Sequence, residues 1–295
     1  MSAVAKSAGP SRTQPPPAVA RHVTVSIKDR AWTYAVAVFN VLCLLFLLTP
    51  IIVVIFTSFN DTSIVAFPPQ SWGFSAYQQI PGSFFDNLRI SVQLGLVSVV
   101  ISVVCVVPLS FGLVRARFPG KSLVEQFFRS PLQIPAVVIG LSLFEFYVLL
   151  QGSGLSLRGS FIGLVIGHVI VVMPFMLAAV LPRVALLDPD MEKAAASLGA
   201  GPIYIARRIT LPLLRPALIA GAFIGFVISF NEVAVSLFLV GPGTTTLPVA
   251  IFSDLSQDFA PWIFAMSTLI IVMCALVVLA VNRLVGLRSA LSGDR

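Results

Sequence analysis

Ionisable side chains are scarce in this chain, so each one inside an apolar run is a candidate for chemistry. Glu232 lies with Asn231 in such a run. A carboxylate there can line a pathway for a cation or accept a structural hydrogen bond from a neighbouring helix. Glu145, near Tyr147, can serve a pathway or a gate-side ion pair, and His168 suits a packed position with its ring nitrogens satisfied. Cys43, Cys105 and Cys274 all fall in apolar runs, share no metal-ligand spacing, and read as small packing residues. There is no H-E-x-x-H, no C-x-x-C and no G-x-x-x-x-G-K-[ST] phosphate loop. "GPGTTT" at Gly241 lacks the lysine of a nucleotide cradle and is expected to be a turn. These residue types point to binding and passage, with no covalent chemistry performed by the chain itself.

The surrounding chain must put those groups in lipid. Of 295 residues 57% are hydrophobic and only 11% charged, against about 25% charged in ordinary soluble domains. Mean hydropathy is +0.98. The class is an all-α polytopic membrane protein, with six expected spans near Tyr34–Phe59, Ile90–Val114, Pro131–Leu150, Phe161–Leu181, Ala217–Val240 and Ile263–Val285. Residues 1–30 are polar, basic and proline-rich and read as a disordered cytoplasmic tail, not a secretory signal. Residues 31–288 form the six-span domain and 289–295 a short cytoplasmic tail.

The net charge of +7 could suggest nucleic acid. Its distribution excludes that class, because 17 of 19 Lys and Arg fall on one side of the expected spans. Only Arg89 and Arg158 lie opposite, with Asp61, Asp86, Asp254 and Asp258. The positive-inside rule then makes both termini cytoplasmic. On the outer side, Asn60 to Leu88 is rich in Trp, Phe and Tyr, which suit either the membrane interface or the cover of an outer gate. Gly163–Gly167 and Gly221–Gly225 are small-xxx-small pairs that let helices approach closely in lipid.

The longest internal polar segment, residues 188–212, reads "DPDMEKAAASLGAGPIYIARRITLP". Asp188 is a good N-cap, Pro189 fits the first helical position, and Asp190 and Glu192 suit the positive end of a helix dipole. Met191, Ala194, Ala195 and Leu198 fall on one face. Gly199 or Gly201 can end this helix, and Pro202 can begin a second that stops near Pro212. A helix lying on lipid headgroups would be anchored by bulky apolar side chains. A mostly alanine face instead favours close approach to a protein.

At this point the segment resembles the EAA loop of binding-protein-dependent ABC importer permeases. Ala194, Ala195, Gly199, Ile209, Leu211 and Pro212 stand at the matching spacings, while Lys193 holds the glutamate position and Glu192 precedes it by one residue. The stretch Ser229–Leu255 is similar to spermidine/putrescine-type permeases, which commonly carry an acidic pair where Asn231 and Glu232 stand. The resemblance covers roughly residues 35–285. It implies an inner-membrane permease that is not an enzyme and is coupled through residues 188–212 to a separate cytoplasmic ATPase dimer, which binds the ATP and Mg²⁺. It also implies a second, related permease, with which the chain would form a heterodimer, and a periplasmic substrate-binding protein. The expected cargo is a small organic cation of the polyamine class. An anion importer would be expected to line its path with positive charge, and the span cores contain no basic residue. A different class, an ion-gradient-driven carrier using Glu145, Glu232 or His168 as proton sites, would need no ATPase but leaves the paired polar helices unexplained. A membrane scaffold has no reason to bury Glu232.

Overall fold

A computed structural model of the chain describes residues 27–62, 66–257 and 260–291. Among the described residues all regular elements are helical. They are α1 (Ile27–Thr57), α2 (Ser75–Gln78), α3 (Ser83–Arg115), α4 (Lys121–Arg129), α5 (Ala136–Gln151), α6 (Phe161–Ala185), α7 (Pro189–Ser197), α8 (Pro202–Ile205), α9 (Leu211–Phe230), α10 (Ser236–Leu239), α11 (Leu247–Gln257) and α12 (Trp262–Leu291). A 3₁₀ turn, Ser130–Leu132, follows α4, and a π turn, Ala206–Thr210, joins α8 to α9.

Among the described residues four helices are long and apolar enough to cross a membrane: Trp32–Thr57, Ser83–Arg115, Phe161–Ala185 and Pro202–Phe230. The shortest has 25 residues, or about 37 Å at the usual rise, against a hydrocarbon core of about 30 Å. The chain divides after Val53 into two units. The described part of the first is α1 up to that residue, a continuous apolar helix that holds Pro50. The second holds everything else.

The core of the second unit is a three-helix seam. Val99, Val106 and Leu113 recur at heptad spacing along α3, and Val172, Met176, Leu177, Val180 and Val184 share one face of α6. Leu214 of α9 completes the buried cluster. Small residues let these helices close. A β-carbon on Gly225 would stand 2.8 Å from Val172 Cγ1 and 3.4 Å from both Met176 Cγ and Val99 Cγ2. Gly221 faces Ala179 in the same seam, so the second small-residue pair packs α9 onto α6. The first serves different neighbours, since Gly167 lies against Leu239, Val235 and Leu143. A second cluster joins Tyr147 of α5, Leu164 and Val165 of α6, and Val235 and Leu239 around α10. Tyr147 donates its hydroxyl to the Gly163 carbonyl at 3.0 Å.

Three expectations change. The third span, expected at Pro131–Leu150, is a bent pair: Lys121–Leu132 and Ala136–Gln151 meet at 103°. Ser130 keeps helical angles before Pro131, so the break falls between Leu132 and Ala136, where Pro135 has no N–H to give and disfavours helical conformation at Ile134. The fifth span, expected at Ala217–Val240, runs instead from Pro202 to Phe230. The second polar helix therefore does not stop near Pro212 but is the first part of this span. The π turn lets the Leu211 N–H reach back to the Ala206 carbonyl. It re-registers the ladder just before Pro212, which has no N–H to give. Last, the expected N-terminal tail lies outside the described residues except for 27–30, which belong to α1. The expected C-terminal tail is described only to Leu291, still in α12. Asp258 also lies outside the described residues. "GPGTTT" is a turn as expected, with the Thr244 N–H on the Gly241 carbonyl at 3.0 Å.

The seam gives a stability prediction. Gly225→Val should lower the midpoint of thermal unfolding in detergent, because overpacking typically costs about 1–3 kcal/mol. Gly112→Ala, where a β-carbon meets nothing within 4 Å, should leave it nearly unchanged.

Candidate functional site

The polar segment folds largely as its sequence dictates. Asp188 Oδ1 accepts the Asp190 N–H at 2.9 Å, capping α7. At the other end the Gly199 N–H bonds the Ala196 carbonyl at 2.9 Å and the Ala200 N–H bonds the Ala195 carbonyl at 3.1 Å. This paired closure needs a left-handed residue at its corner, and Gly199 has φ +85°. Gly199, not Gly201, thus ends the helix. No residue of α7 is fully buried. Leu198 is 89% exposed, and Met191, Ile203 and Tyr204 are also exposed. Of the last residues singled out from sequence, Ile209 is half-buried, Leu211 exposed and Pro212 half-buried.

Between α7 and the bundle lies an open cleft of about 610 Å³. Its walls include Phe111 and Arg115 of α3, Ala196 of α7, and Ala206 and Thr210 of the π turn. Glu192 crosses it. One carboxylate oxygen pairs with Arg115 Nη1, and the other accepts the Thr210 hydroxyl at 2.6 Å. Arg115 also lies over the Phe111 ring, 4.7 Å from its centroid. The Arg115 hydrogen bond lowers the Glu192 pKa below its ordinary value; burial opposes this, and the Thr210 hydrogen bond and Arg115 charge add to it. The carboxylate therefore stays ionised at neutral pH. Any stability it contributes is present above its unfolded pKa and is lost as pH falls through the lowered folded value. A partly exposed ion pair is worth only about 0–1 kcal/mol, so this bridge is not what holds the fold together. Lys193 donates to Asp190 Oδ1 at 2.8 Å and is exposed. The Asp190 hydrogen bond raises its pKa. Glu192 thus bonds to the bundle, while Lys193, which also borders the cleft, pairs with Asp190 on its own helix.

The second candidate group sits where α9 ends. Asn231 Nδ2 donates to the Val227 carbonyl at 2.8 Å, which also accepts the Asn231 N–H at 3.1 Å. Glu232 Oε1 accepts the Val235 N–H at 2.8 Å, and its carbonyl accepts the Ser236 hydroxyl at 2.9 Å. These side chains offer the backbone bonds that replace the helix ladder, which is why the span stops here although hydropathy stays high through Val240. Glu232 is therefore half-buried in a helix break, not inside a span. His168, 1% exposed, is 2.7 Å from Ser229 Oγ and 2.8 Å from Ser236 Oγ, one on each side of the break. It is the satisfied packing histidine expected. Glu145 is exposed on α5 and has no ion-pair partner among the described residues. The break and Glu145 are not brought together with the α7 cleft. Among the described residues no group of acidic, His and Cys side chains could hold a metal.

Arg115 and Thr210 escaped the sequence reading. They lie 77 and 18 residues from Glu192, and the one available signal was a basic residue in the last turn of a long apolar helix, where the dipole favours it.

Bent and broken apolar helices around a seam, with a capped polar helix beside one end, define an all-helical membrane protein. The same fold occurs in an alginate-importing bacterial ABC transporter, at TM-score 0.69 and 18% identity over 88% of this chain and 98% of that one. Residues 109–289, more than half of the chain, match the family described as "Binding-protein-dependent transport system inner membrane component", and the chain belongs to it. It is the permease component of an ABC importer, a multi-pass inner-membrane protein. The spermidine/putrescine transport system permease protein PotC of Escherichia coli K12 is 31% identical over 242 residues, 80% of this chain and 88% of its own. The putrescine permease PotI of the same strain is 29% identical over 77% of this chain and 82% of its own. A putative 2-aminoethylphosphonate permease, PhnV of Salmonella paratyphi A, is 29% identical over 77% of this chain and 84% of its own.

The Glu232 geometry separates two of its properties. Glu232→Ala removes the acceptor of the Val235 N–H, a charged hydrogen bond of about 1.5–3 kcal/mol, and should lower the unfolding midpoint. Glu232→Gln keeps an oxygen acceptor and should unfold close to wild type.

Proposed function

We propose that this chain passes a small organic cation, of the polyamine class, from a periplasmic binding protein to the cytoplasm, driven by a separate ATPase dimer that binds ATP and Mg²⁺. α7 docks on that ATPase. The observation that carries this reading is α7 itself, a nine-residue polar helix capped by Asp188, with no residue fully buried and with Ala194 and Ala196 exposed. A small-residue face left open in this way lets a protein partner approach closely. Gly199 fixes the corner at the end of that helix.

The chain then crosses the membrane six times, with the 16-residue α5 as a short bent span and α12 as the last. Both termini face the cytoplasm with the basic connections. A second, related permease completes the pore as a heterodimer. The substrate class rests on relatives named for putrescine and spermidine, whose amines are cations at neutral pH. Asn231, Glu232 and Glu145 supply the polar and acidic groups such a cation meets. A self-contained carrier is disfavoured because both nitrogens of buried His168 are already engaged.

The test is uptake of labelled putrescine into proteoliposomes holding this chain, its partner permease and the ATPase, with binding protein outside. Uptake should require ATP inside, and Glu232→Gln should reduce it while the unfolding midpoint holds. Ion-gradient-driven uptake by the chain alone would overturn the reading. Gly199→Asp puts a β-carbon at φ +85°, where ordinary residues lose about 1–2 kcal/mol. It should sharply reduce uptake with membrane insertion intact, and Gly199→Asn should lose less.

A further inference from the structure

We infer that Arg115, Glu192 and Thr210 form a clamp that transmits the movement of α7 to α3 and α9, with Arg115 and Thr210 as positioning residues for transport. The inference rests on the ATPase-driven reading above and adds the route by which the motion enters the bundle.

α7 lacks a closely packed inner side. It buries no residue fully, and an open cleft of about 610 Å³ separates its inner side from α3 and the π turn. Apolar packing transmits a displacement only where surfaces touch, and here much of the facing surface does not. Glu192 spans the gap with both oxygens engaged, one by Arg115 and one by Thr210. The two partners belong to two of the three helices of the central seam. Arg115 is the last residue of α3, beyond which Ala116 turns extended. Its guanidinium is steadied over Phe111. Thr210 is buried at the end of the π turn, where α9 takes up its regular ladder. A push on α7 therefore arrives at the ends of α3 and α9 together, as a pull on one carboxylate. π turns are frequent at functional sites because they can re-register a helix, and this one carries the clamp's hydroxyl. Lys193 also borders the cleft but pairs with Asp190 of its own helix and not with a clamp residue.

The test uses the complete reconstituted transporter. Arg115→Met should lower the ratio of substrate imported to ATP hydrolysed about five- to tenfold, the scale of effects on coupling networks. Thr210→Val should lower it by less. The exchange R115E with E192R should restore most of the ratio. A role confined to folding would reduce import, hydrolysis and the yield of complex in parallel and would not be rescued by the exchange; that result overturns the clamp, as does an unchanged ratio in R115M.

A second measurement separates the clamp from the importer reading. Nitroxides at A116C and S197C, with Cys43, Cys105 and Cys274 replaced by Ala, report the distance from α7 to the end of α3 in the full-length chain. The distribution should be narrow with Arg115 present, broad in R115M and narrow again in the exchange. If the wild-type complex fails to import on ATP, the importer reading falls while this distance pattern still supports the clamp. Identical distributions in all three overturn it.

Discussion

Water is absent from the hydrocarbon interior of a membrane, so every backbone N–H and C=O there must find its partner within the protein. The breaks at the two ends of α9 meet that constraint in two different ways. At the end of α9, Asn231, Glu232 and Ser236 take over the bonds that the ladder gives up, and His168 ties Ser229 to Ser236 across the gap. Before Pro212 a π turn does the same with backbone alone. The breaks are therefore built features, and they sit at the two ends of one helix, α9, that runs through the central seam.

That seam is apolar and closely packed, with Gly225 and Gly221 bringing α9 against α6 and α3. The end that carries α7 is different. There a short capped helix, continuous in the chain with α6 and α8, borders an open cleft that one carboxylate bridges to α3 and the π turn. A rigid apolar seam joined by a polar bridge to a loosely packed outer helix suits an element that must move as a unit while the spans keep their packing. The energetic scale agrees, since a partly exposed ion pair adds little to stability and can be strained without unfolding the core.

Much of this was legible in the residues. Asp188, Pro189 and Gly199 announced the start and end of α7 through local chemistry that needs no tertiary partner, and the apolar runs announced the spans. The errors fell where local signals and hydropathy disagreed. Val233 to Val240 are apolar enough to extend a span, and only the hydrogen-bonding competition of Asn231 and Glu232 ends it at Phe230. Pro212 looked like a stop because its missing N–H was weighed without the π turn that accommodates it. Arg115 and Thr210 could not be read at all, because a contact spanning 77 residues is set by how α3, α7 and α9 are placed in space and leaves no periodicity in the chain.

The central claim is that the exposed face of α7 meets a protein. Photocrosslinking from benzoylphenylalanine at Met191 and at Leu198, in membranes containing the whole transporter, tests it most directly. Adducts with the ATPase subunit are expected from both positions, and none from Arg158, which the proposed topology puts on the opposite side of the membrane. Adducts only with lipid at Met191 and Leu198 would contradict it and make α7 an interfacial helix.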